Sequence, residues 1–391
     1  MPVETISHPS GDQLPIILDQ DGLPIPILNE FLLGRRILAT NTLERNSREM
    51  EAAHQWFERV GIDPWHRIST AKGFTEAEIR GGLVEALRRD QSKKRKVKKL
   101  VVSPHSFNQR LTTVRQWIGL MFDVCTTSMP NDDLRYERVV EQKAIIMKWL
   151  KDAFISSPPE NRGKKKGLTQ EQAKFLVRVL DPEKEELFGR DPVVRYRNYV
   201  SIMIMLNYGL RPGELLCLRV EDIEFAAISA IRVTRRPPDP SDTRRPRPHI
   251  KRNGRVLPID NPVFARHLDE YIMNYRDQLE GDSTADSDYL IVSDEGRPLS
   301  QVSITQLFQR LRRRFPDELP RDITAKSLRH TFSSSMEREL REIGMDEKRR
   351  EEALADLRGD SSLASQETYI AQEIQEQANL AMRNYHRKLL G

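Results

Sequence analysis

The sequence predicts a mainly helical protein with a small antiparallel β-sheet in its second domain. Apolar residues recur at three- and four-residue steps between about residues 26 and 154, which is typical of amphipathic helices. Three short strand candidates follow later in the chain, at residues 228–233, 249–252 and 255–259. Asn253-Gly254 joins the last two candidates and is a strong signal for a tight hairpin.

The chain divides into four predicted segments. Its 391 residues are more than a single hydrophobic core usually supports, so two or more domains are expected. Frequent prolines and a weak helical period predict an extended arm over residues 1–25. A stretch rich in Ser, Pro, Gly and Lys predicts a linker at 156–167. A helical domain therefore occupies 26–155, and a second domain occupies 168–391.

The helix predicted after residue 103 carries a polar face. Ser103 suits the N-cap and Pro104 suits the first helical position. Among the side chains expected to point outward are Arg110 and Arg115, which makes this face a candidate DNA contact. For any single residue, a merely solvated role is the more frequent one.

Local signals in the second domain predict a supported corner. Thr169 and Gln172 have the spacing of a capping box and start a helix. An almost wholly apolar helix covers 199–206, and Gly209 ends it. Arg211 follows directly, so its backbone is expected to be held at a tight turn.

Positive charge is clustered along the chain. The formal net charge is +5 and the isoelectric point is near 9.1. Runs and loops rich in Lys and Arg give the candidate DNA-binding residues Lys93, Lys94, Arg95, Lys164, Lys165, Lys166 and Arg245. Such clusters attract a polyanion, so nucleic acid is the expected partner. For each lysine run, a flexible solvated linker is an equally good interpretation.

Composition also limits other classes of function. The two cysteines, Cys125 and Cys217, have no partner at metal-ligand or redox spacing. No segment approaches the roughly 18 apolar residues of a membrane span, and the N-terminus lacks a signal-peptide pattern. We therefore expect a cytoplasmic protein without a metal, a cofactor or a membrane partner.

Two arginines in apolar surroundings, Arg211 and Arg329, are the main functional candidates. A guanidinium stays charged and matches two phosphate oxygens at once, so a converging pair suits a pentacoordinate phosphate. The alternative for each is an ordinary surface arginine. Apolar neighbours argue against it, because they would desolvate the guanidinium, and a desolvated charge requires a partner. Lys251, beside the Asn-Gly turn, is a candidate proton donor to a leaving oxygen.

Four segments in order resemble the signature motifs of tyrosine recombinases, the phage-integrase and Xer-type class. They are residues 209–215, residues 249–258, residues 328–332 and Tyr369. The resemblance covers about 168–385, while the N-terminal helical region is similar to that family's core-binding domain in pattern alone. The order and spacing together make the resemblance specific.

The resemblance implies a C-shaped clamp of two domains around duplex DNA. Tyr369 would attack a phosphate to give a 3′-phosphotyrosine link and a free 5′ hydroxyl, without ATP, metal or cofactor. Arg211 and Arg329 would hold the phosphate, Lys251 would be the general acid, and Glu214 would support the first arginine. Because the reference pKa of tyrosine is about 10, cationic neighbours favour loss of its proton.

The implied partners are double-stranded DNA and further copies of the chain. A tetramer is expected in the synaptic complex, with a monomer or dimer free of DNA. An accessory DNA-bending protein is a further candidate partner. Association with the nucleoid in the cytoplasm follows from the same resemblance.

Two positions depart from the family pattern: Lys326 replaces a usual His, and Asp360 replaces a usual His or Trp. An ionised Asp360 about 4 Å from a phosphate oxygen would be repelled by roughly 4 kcal/mol at an effective dielectric of 20. Our hypothesis is therefore that Asp360 pairs with Lys326 or with an arginine and orients it. His330 follows Arg329 and is expected to have a packing role in support of the site.

Alternatives stay open for the nucleophile and for the function. Tyr385 is a rival nucleophile near the end of the last predicted helix, a helix that in the family commonly docks on a neighbouring protomer. A DNA-binding protein that keeps the fold without catalysis is one alternative, and Asp360 favours it. A type IB topoisomerase-like enzyme is the other, and Lys326 favours it.

Overall fold

The computed structural model describes residues 3–9, 12–89, 101–130, 132–156, 167–184, 188–189, 191–226, 229–250, 252–280, 287–360 and 368–390. For residues 368–373 and 390 only the backbone is described. The chain forms two compact units, Met1–Glu160 and Asn161–Gly391, each with its own hydrophobic core.

The first unit combines a β-hairpin with helices. Strands β1 (Val3–Ser7) and β2 (Gln13–Ile17) pair antiparallel. The helices are α1 (Pro26–Leu33), α2 (Thr40–Arg59), α3 (Pro64–Ser69), α4 (Val84–Arg88), α5 (Pro104–Ser128) and α6 (Tyr136–Asp152), and a π-helical stretch, Ala77–Leu83, leads into α4.

The N-terminal segment is a folded hairpin rather than the extended arm that the prolines predicted. Ile17 is completely buried, so the hairpin is part of the core. The Asn29 side chain accepts a hydrogen bond from the Ile17 backbone N–H at 2.9 Å and donates one to the Ile17 carbonyl at 2.9 Å. A buried amide that satisfies both backbone groups of one residue ties the second strand to α1.

Helix α5 begins as predicted. The Ser103 hydroxyl accepts a hydrogen bond from the Ser106 backbone N–H at 3.2 Å, and Pro104 occupies the first turn. Trp117 and Phe122 are fully buried on its inner face, where α2 and α6 pack against it.

The second unit is also mainly helical. Its helices are α7 (Gln170–Leu180), α8 (Pro192–Tyr208), α9 (Pro212–Leu215), α10 (Pro262–Glu270), α11 (Arg276–Glu280), α12 (Gln301–Arg314), α13 (Ala325–Glu342), α14 (Glu347–Leu357) and α15 (Thr368–Leu390). A π-helical stretch, Tyr271–Tyr275, joins α10 to α11, and a 3₁₀ turn, Val220–Asp222, precedes the sheet. Its strands are β3 (Ile223–Glu224), β4 (Ala230–Val233) and β5 (Arg255–Pro258).

The sheet differs from the predicted hairpin. Its order is β3-β4-β5 with antiparallel pairing, and Val233 pairs with Arg255. The strand predicted at 249–252 is wrong for the described residues 249, 250 and 252, which are not in a strand. The backbone at His249 lies instead beside Gly213, where an added Cβ would sit 3.1 Å from the His249 carbonyl oxygen. Asn253-Gly254 therefore leads into β5 and is not a turn between two paired strands.

Helix α8 is the centre of the second core. It is buried at every position from Tyr196 to Tyr208, and α13 packs along it. The capping box of Thr169 and Gln172 is present at the start of α7, as predicted. The predicted fold class, mainly α with a small antiparallel sheet, is confirmed. Within the described residues, no helix is both long and apolar enough to cross a membrane.

Candidate active site

Arg211 lies at a corner that the backbone holds tightly. Gly209 ends α8 in the left-handed conformation with φ of 62°. An added Cβ at Gly209 would lie 2.4 Å from a ring carbon of Phe332, so no other residue fits there without a shift. Arg211 then caps α9, and Pro212 takes the first helical position.

Glu214 fixes both the backbone and the side chain of Arg211. Its carboxylate accepts from the Arg211 backbone N–H at 2.9 Å and from Arg211 Nη1 at 2.9 Å. The same carboxylate accepts from Arg255 Nη2 at 3.1 Å. The side chains of Glu214 and Arg255 are 1% and 4% exposed, respectively, so this ion pair is buried beneath the surface of the site.

Arg329 approaches the same point from helix α13. Its Nη1 donates to the Gly209 carbonyl at 2.7 Å, and its Nη2 donates to the Arg358 carbonyl at 3.0 Å. Arg211 Nη1 donates to that same Arg358 carbonyl at 3.3 Å. The two guanidinium groups predicted as a clamp therefore converge in this structure.

Asp360 lies between the arginines. Its Oδ1 accepts from Arg211 Nη2, its Oδ2 accepts from Arg329 Nη2 at 3.3 Å, and Oδ2 is 2.7 Å from Arg358 Nη2. Of the partners in our hypothesis, the arginines are the ones that pair with Asp360. Lys326 is exposed on the first turn of α13, and no ion pair among the described residues joins it to Asp360.

The turn that carries Asp360 is sterically restricted. Gly359 ends α14 with φ of +64°, and an added Cβ would lie 2.5 Å from Arg255 Nη1. Arg252 Nη1 donates to the Asp360 backbone carbonyl at 3.0 Å. These contacts fix the carboxylate relative to the two arginines.

The electrostatics of this cluster favour an additional anion. Burial raises the pKa of the Glu214 and Asp360 carboxyls, but their arginine partners outweigh it and hold each pKa below its usual value. Burial, followed by the charge of Arg211, lowers the pKa of Arg329 to about 10, so it stays protonated at neutral pH. The guanidinium groups of Arg211, Arg255, Arg329 and Arg358 outnumber the two carboxylates.

Several predicted site residues are described in part or not at all. Tyr369 lies in the first turn of α15, and its side chain is not described. His330 follows Arg329 on α13 and is half-buried. The predicted residues outside the described part of the chain are Lys93, Lys94, Arg95, Lys164, Lys165, Lys166 and Lys251.

Tyr385 is part of the hydrophobic core. Its hydroxyl donates to the Leu206 carbonyl at 3.0 Å, and its ring packs edge-on against Phe332. Burial raises the pKa of Tyr385, which disfavours the phenolate. From Ile374 onward, α15 buries its apolar face in the core of its own chain. The rival-nucleophile hypothesis therefore conflicts with the position of Tyr385.

The three other candidate DNA-binding arginines have different environments. Arg110 Nη1 donates to the carbonyls of Leu87, at 3.0 Å, and Arg89, at 2.9 Å, so this predicted outward residue holds the end of α4 instead. Arg115 is half-buried, whereas Arg245 is exposed. The periodicity of a helix predicts the face on which a residue lies. It does not predict that the side chain will donate hydrogen bonds to backbone carbonyls distant in sequence.

The predicted site omitted Arg358, Arg255 and Arg252. Arg358 has a local signal, since it lies two residues before Asp360, which departs from the family pattern. Arg255 and Arg252 gain their roles from Glu214 and Asp360, which are 41 and 108 residues away in sequence. Spacing within one segment cannot reveal such partners.

Comparisons with known proteins identify the family of this chain. The Phage integrase family matches residues 167–369, just over half of the chain. Transposase A of transposon Tn554 from Staphylococcus aureus is 30% identical over 158 residues, 39% of each chain. Tyrosine recombinase XerC of Roseiflexus sp. is 30% identical over 186 residues, 46% of this chain and 50% of that protein. This chain belongs to the phage integrase family.

These two curated relatives are matched over half of their length or less, 39% for the transposase and 50% for XerC. Among solved structures, the integrase of transposon Tn1549 in complex with circular intermediate DNA is similar to this chain. It has 18% sequence identity and a TM-score of 0.48 over 92% of this chain and 98% of that chain.

Proposed function

We propose that this chain is a site-specific tyrosine recombinase that cleaves and rejoins DNA strands through a 3′-phosphotyrosine intermediate. The observation that carries the proposal is the convergence of Arg211 and Arg329 on one anion, the Asp360 carboxylate. Buried Glu214 supports Arg211 from behind. Membership of the phage integrase family supports the same reaction.

The reaction assigns a role to each group. The Tyr369 hydroxyl releases its proton to solvent as its oxygen bonds to phosphorus, the bond to the 5′ oxygen breaks, and Lys251 gives a proton to that leaving oxygen. Arg211 and Arg329 bind the non-bridging oxygens, where negative charge develops. The free 5′ hydroxyl of the partner strand then attacks the phosphotyrosine: its oxygen bonds to phosphorus, the bond to the Tyr369 oxygen breaks, and the tyrosine regains a proton. One phosphodiester bond is formed for each one broken, so no external energy source is required.

The proposed substrate is duplex DNA, and the proposed active assembly contains several copies of the chain, a tetramer in the synaptic complex. Strand exchange between two duplexes requires a nucleophile at each of the strands that are cut. We place the protein with the nucleoid in the cytoplasm. Its relatives include both a transposase and Xer recombinases, so the proposal covers the reaction and not its biological use.

A DNA-binding protein without catalysis is the second candidate function. The observation that favours it is Asp360, whose carboxylate occupies the point on which Arg211 and Arg329 converge. A chain that only binds DNA would form no covalent link to it.

Covalent capture separates the two functions. Nicked duplexes from the genetic neighbourhood of the protein, labelled on the strand that carries the scissile phosphate, are incubated with the chain and denatured. We expect a protein-linked DNA band that persists in detergent and disappears after protease treatment. Binding of these duplexes in a native gel without any covalent band would support the second candidate.

Helix α12 presents a polar exposed face that the sequence patterns did not single out. Thr305, Gln306, Gln309, Arg310 and Arg313 are exposed, while Ile304, Leu307, Phe308 and Leu311 are buried. Hydroxyl, amide and guanidinium groups read base edges and contact phosphates. We propose that this face of α12 contacts DNA.

We expect Arg310→Gln and Arg313→Gln each to weaken DNA binding. If each arginine neutralises one phosphate, the slope of log affinity against log salt falls by about one per substitution. The measurement is fluorescence anisotropy with a labelled duplex across a salt series. Arg266→Gln is the matched control, because Arg266 is 61% exposed and paired with Glu183. An unchanged slope in both α12 variants would contradict the proposal that this face of α12 contacts DNA.

A further inference from the structure

Asp360 is bound in the manner of a phosphate. Each carboxylate oxygen has its own guanidinium contacts, Oδ1 with Arg211 and Oδ2 with Arg329. Planar guanidinium groups recognise carboxylate and phosphate through the same arrangement of N–H donors around two oxygens. The carboxylate therefore marks the position where the clamp would bind an anion.

A third guanidinium, that of Arg358, lies at this position. Arg358 Nη2 is 2.7 Å from Asp360 Oδ2, the same oxygen that accepts from Arg329 Nη2 at 3.3 Å. Arg329 and Arg358 thus converge on one oxygen atom. An oxygen of a phosphate that replaced the carboxylate would meet both groups.

The backbone of Arg358 is tied to the clamp. Its carbonyl accepts from Arg211 Nη1 at 3.3 Å and from Arg329 Nη2 at 3.0 Å, and its N–H donates to the Leu354 carbonyl at 3.1 Å. Its side chain is 36% exposed, so a ligand from solvent has access to it. Arg255 differs, because it is 4% exposed and lies behind Glu214.

We propose that Arg358 is a third phosphate-binding residue of this site, and that Asp360 holds the phosphate position until a DNA phosphate displaces its carboxylate. The inference rests on the proposed function, because it assigns the bound anion as the scissile phosphate. The family usually has a His or Trp at position 360, whose ring N–H can donate a hydrogen bond to the phosphate. An Asp360 carboxylate cannot do so, and Arg358 then supplies that donor. Asp360 is a positioning residue, because it keeps like-charged guanidinium groups together before DNA binds.

Binding of inorganic phosphate to the full-length protein tests both roles. Titrations are followed by calorimetry and by phosphorus NMR near neutral pH at constant ionic strength. We expect Asp360→Asn to bind phosphate at least about tenfold more tightly than the unsubstituted chain, because a competing anion is removed. Adding Arg358→Gln to Asp360→Asn should reverse that gain, and Arg358→Lys should retain part of it.

Matched controls separate binding from folding. Arg350→Gln in the Asp360→Asn background removes a half-buried arginine of α14, one that pairs with Glu337 at 2.8 Å, and should leave phosphate binding unchanged. Melting temperatures identify variants that do not fold, and Asp360→Ser replaces Asp360→Asn if the amide is not tolerated.

Two results would overturn the inference: phosphate binding by the folded Asp360 variant that is no tighter than in the unsubstituted chain, or tight binding that survives Arg358→Gln. The titration requires no cleavage by Tyr369. If the phosphate titrations give the expected results but no covalent DNA adduct forms, the recombinase proposal alone would be rejected. Normal adduct formation with unchanged phosphate binding would reject the present inference alone.

Discussion

Tyr369→Phe is expected to abolish the covalent protein–DNA adduct while leaving DNA binding intact. Phenylalanine keeps the ring but lacks the oxygen that attacks phosphorus, so adduct formation should fall by at least on the order of a thousandfold. The adduct is quantified on denaturing gels with the labelled nicked duplex, and binding is measured in parallel by anisotropy. Equal binding with no adduct assigns the loss to chemistry.

Tyr385→Phe is the matched control, since it removes the other candidate hydroxyl. That hydroxyl donates to the buried Leu206 carbonyl at 3.0 Å, so its loss should cost about 1–3 kcal/mol of stability and leave the adduct in place. An adduct that persists in Tyr369→Phe and disappears in a folded Tyr385→Phe variant would reverse the assignment.

The parts of the site that the sequence predicted depend on local signals. An apolar helix, a glycine that ends it and a following Arg-Pro place Arg211 at a corner through contacts within a few residues. The capping box of α7 and the start of α5 belong to the same class. For these features the nearest neighbours in sequence are also the physical partners.

The parts that the sequence did not predict depend on distant partners. The Asn-Gly signal assumes that its two flanks pair with each other, but β5 pairs with β4. Arg110 was expected at a DNA-facing position, yet it donates to carbonyls 23 and 21 residues away. The repulsion expected between an ionised Asp360 and a phosphate indicates that Asp360 has a cationic partner. The sequence does not show which one, whereas the structure shows that the partners are arginines and not Lys326.

The candidate site is also a structural element of the second unit. Glu214 receives hydrogen bonds from the capping residue of α9 and from the first residue of β5. It thereby joins a helix, a strand and the Arg211 guanidinium in one buried network. Changes that alter the charge of this network should act on stability as well as on catalysis.

Glu214→Ala is expected to destabilise the second unit by about 3–5 kcal/mol, because it leaves the Arg255 charge, 4% exposed, without a carboxylate. Urea unfolding is followed by far-ultraviolet circular dichroism, and hydrogen exchange locates the loss at α9 and β5. The tryptophans Trp56, Trp65, Trp117 and Trp149 all lie in the first unit. Their fluorescence is an internal control, and the transition it reports should shift less.

Two further variants distinguish a buried charge from a general loss of contacts. Glu224→Ala breaks an ion pair of Glu224 with Arg232 in which both side chains are about half exposed, so it should cost less than about 1 kcal/mol. Combining Glu214→Leu with Arg255→Met removes both buried charges and should recover most of the stability lost in Glu214→Ala. A double variant as unstable as the single one would mean that shape, and not the unpaired charge, causes the loss.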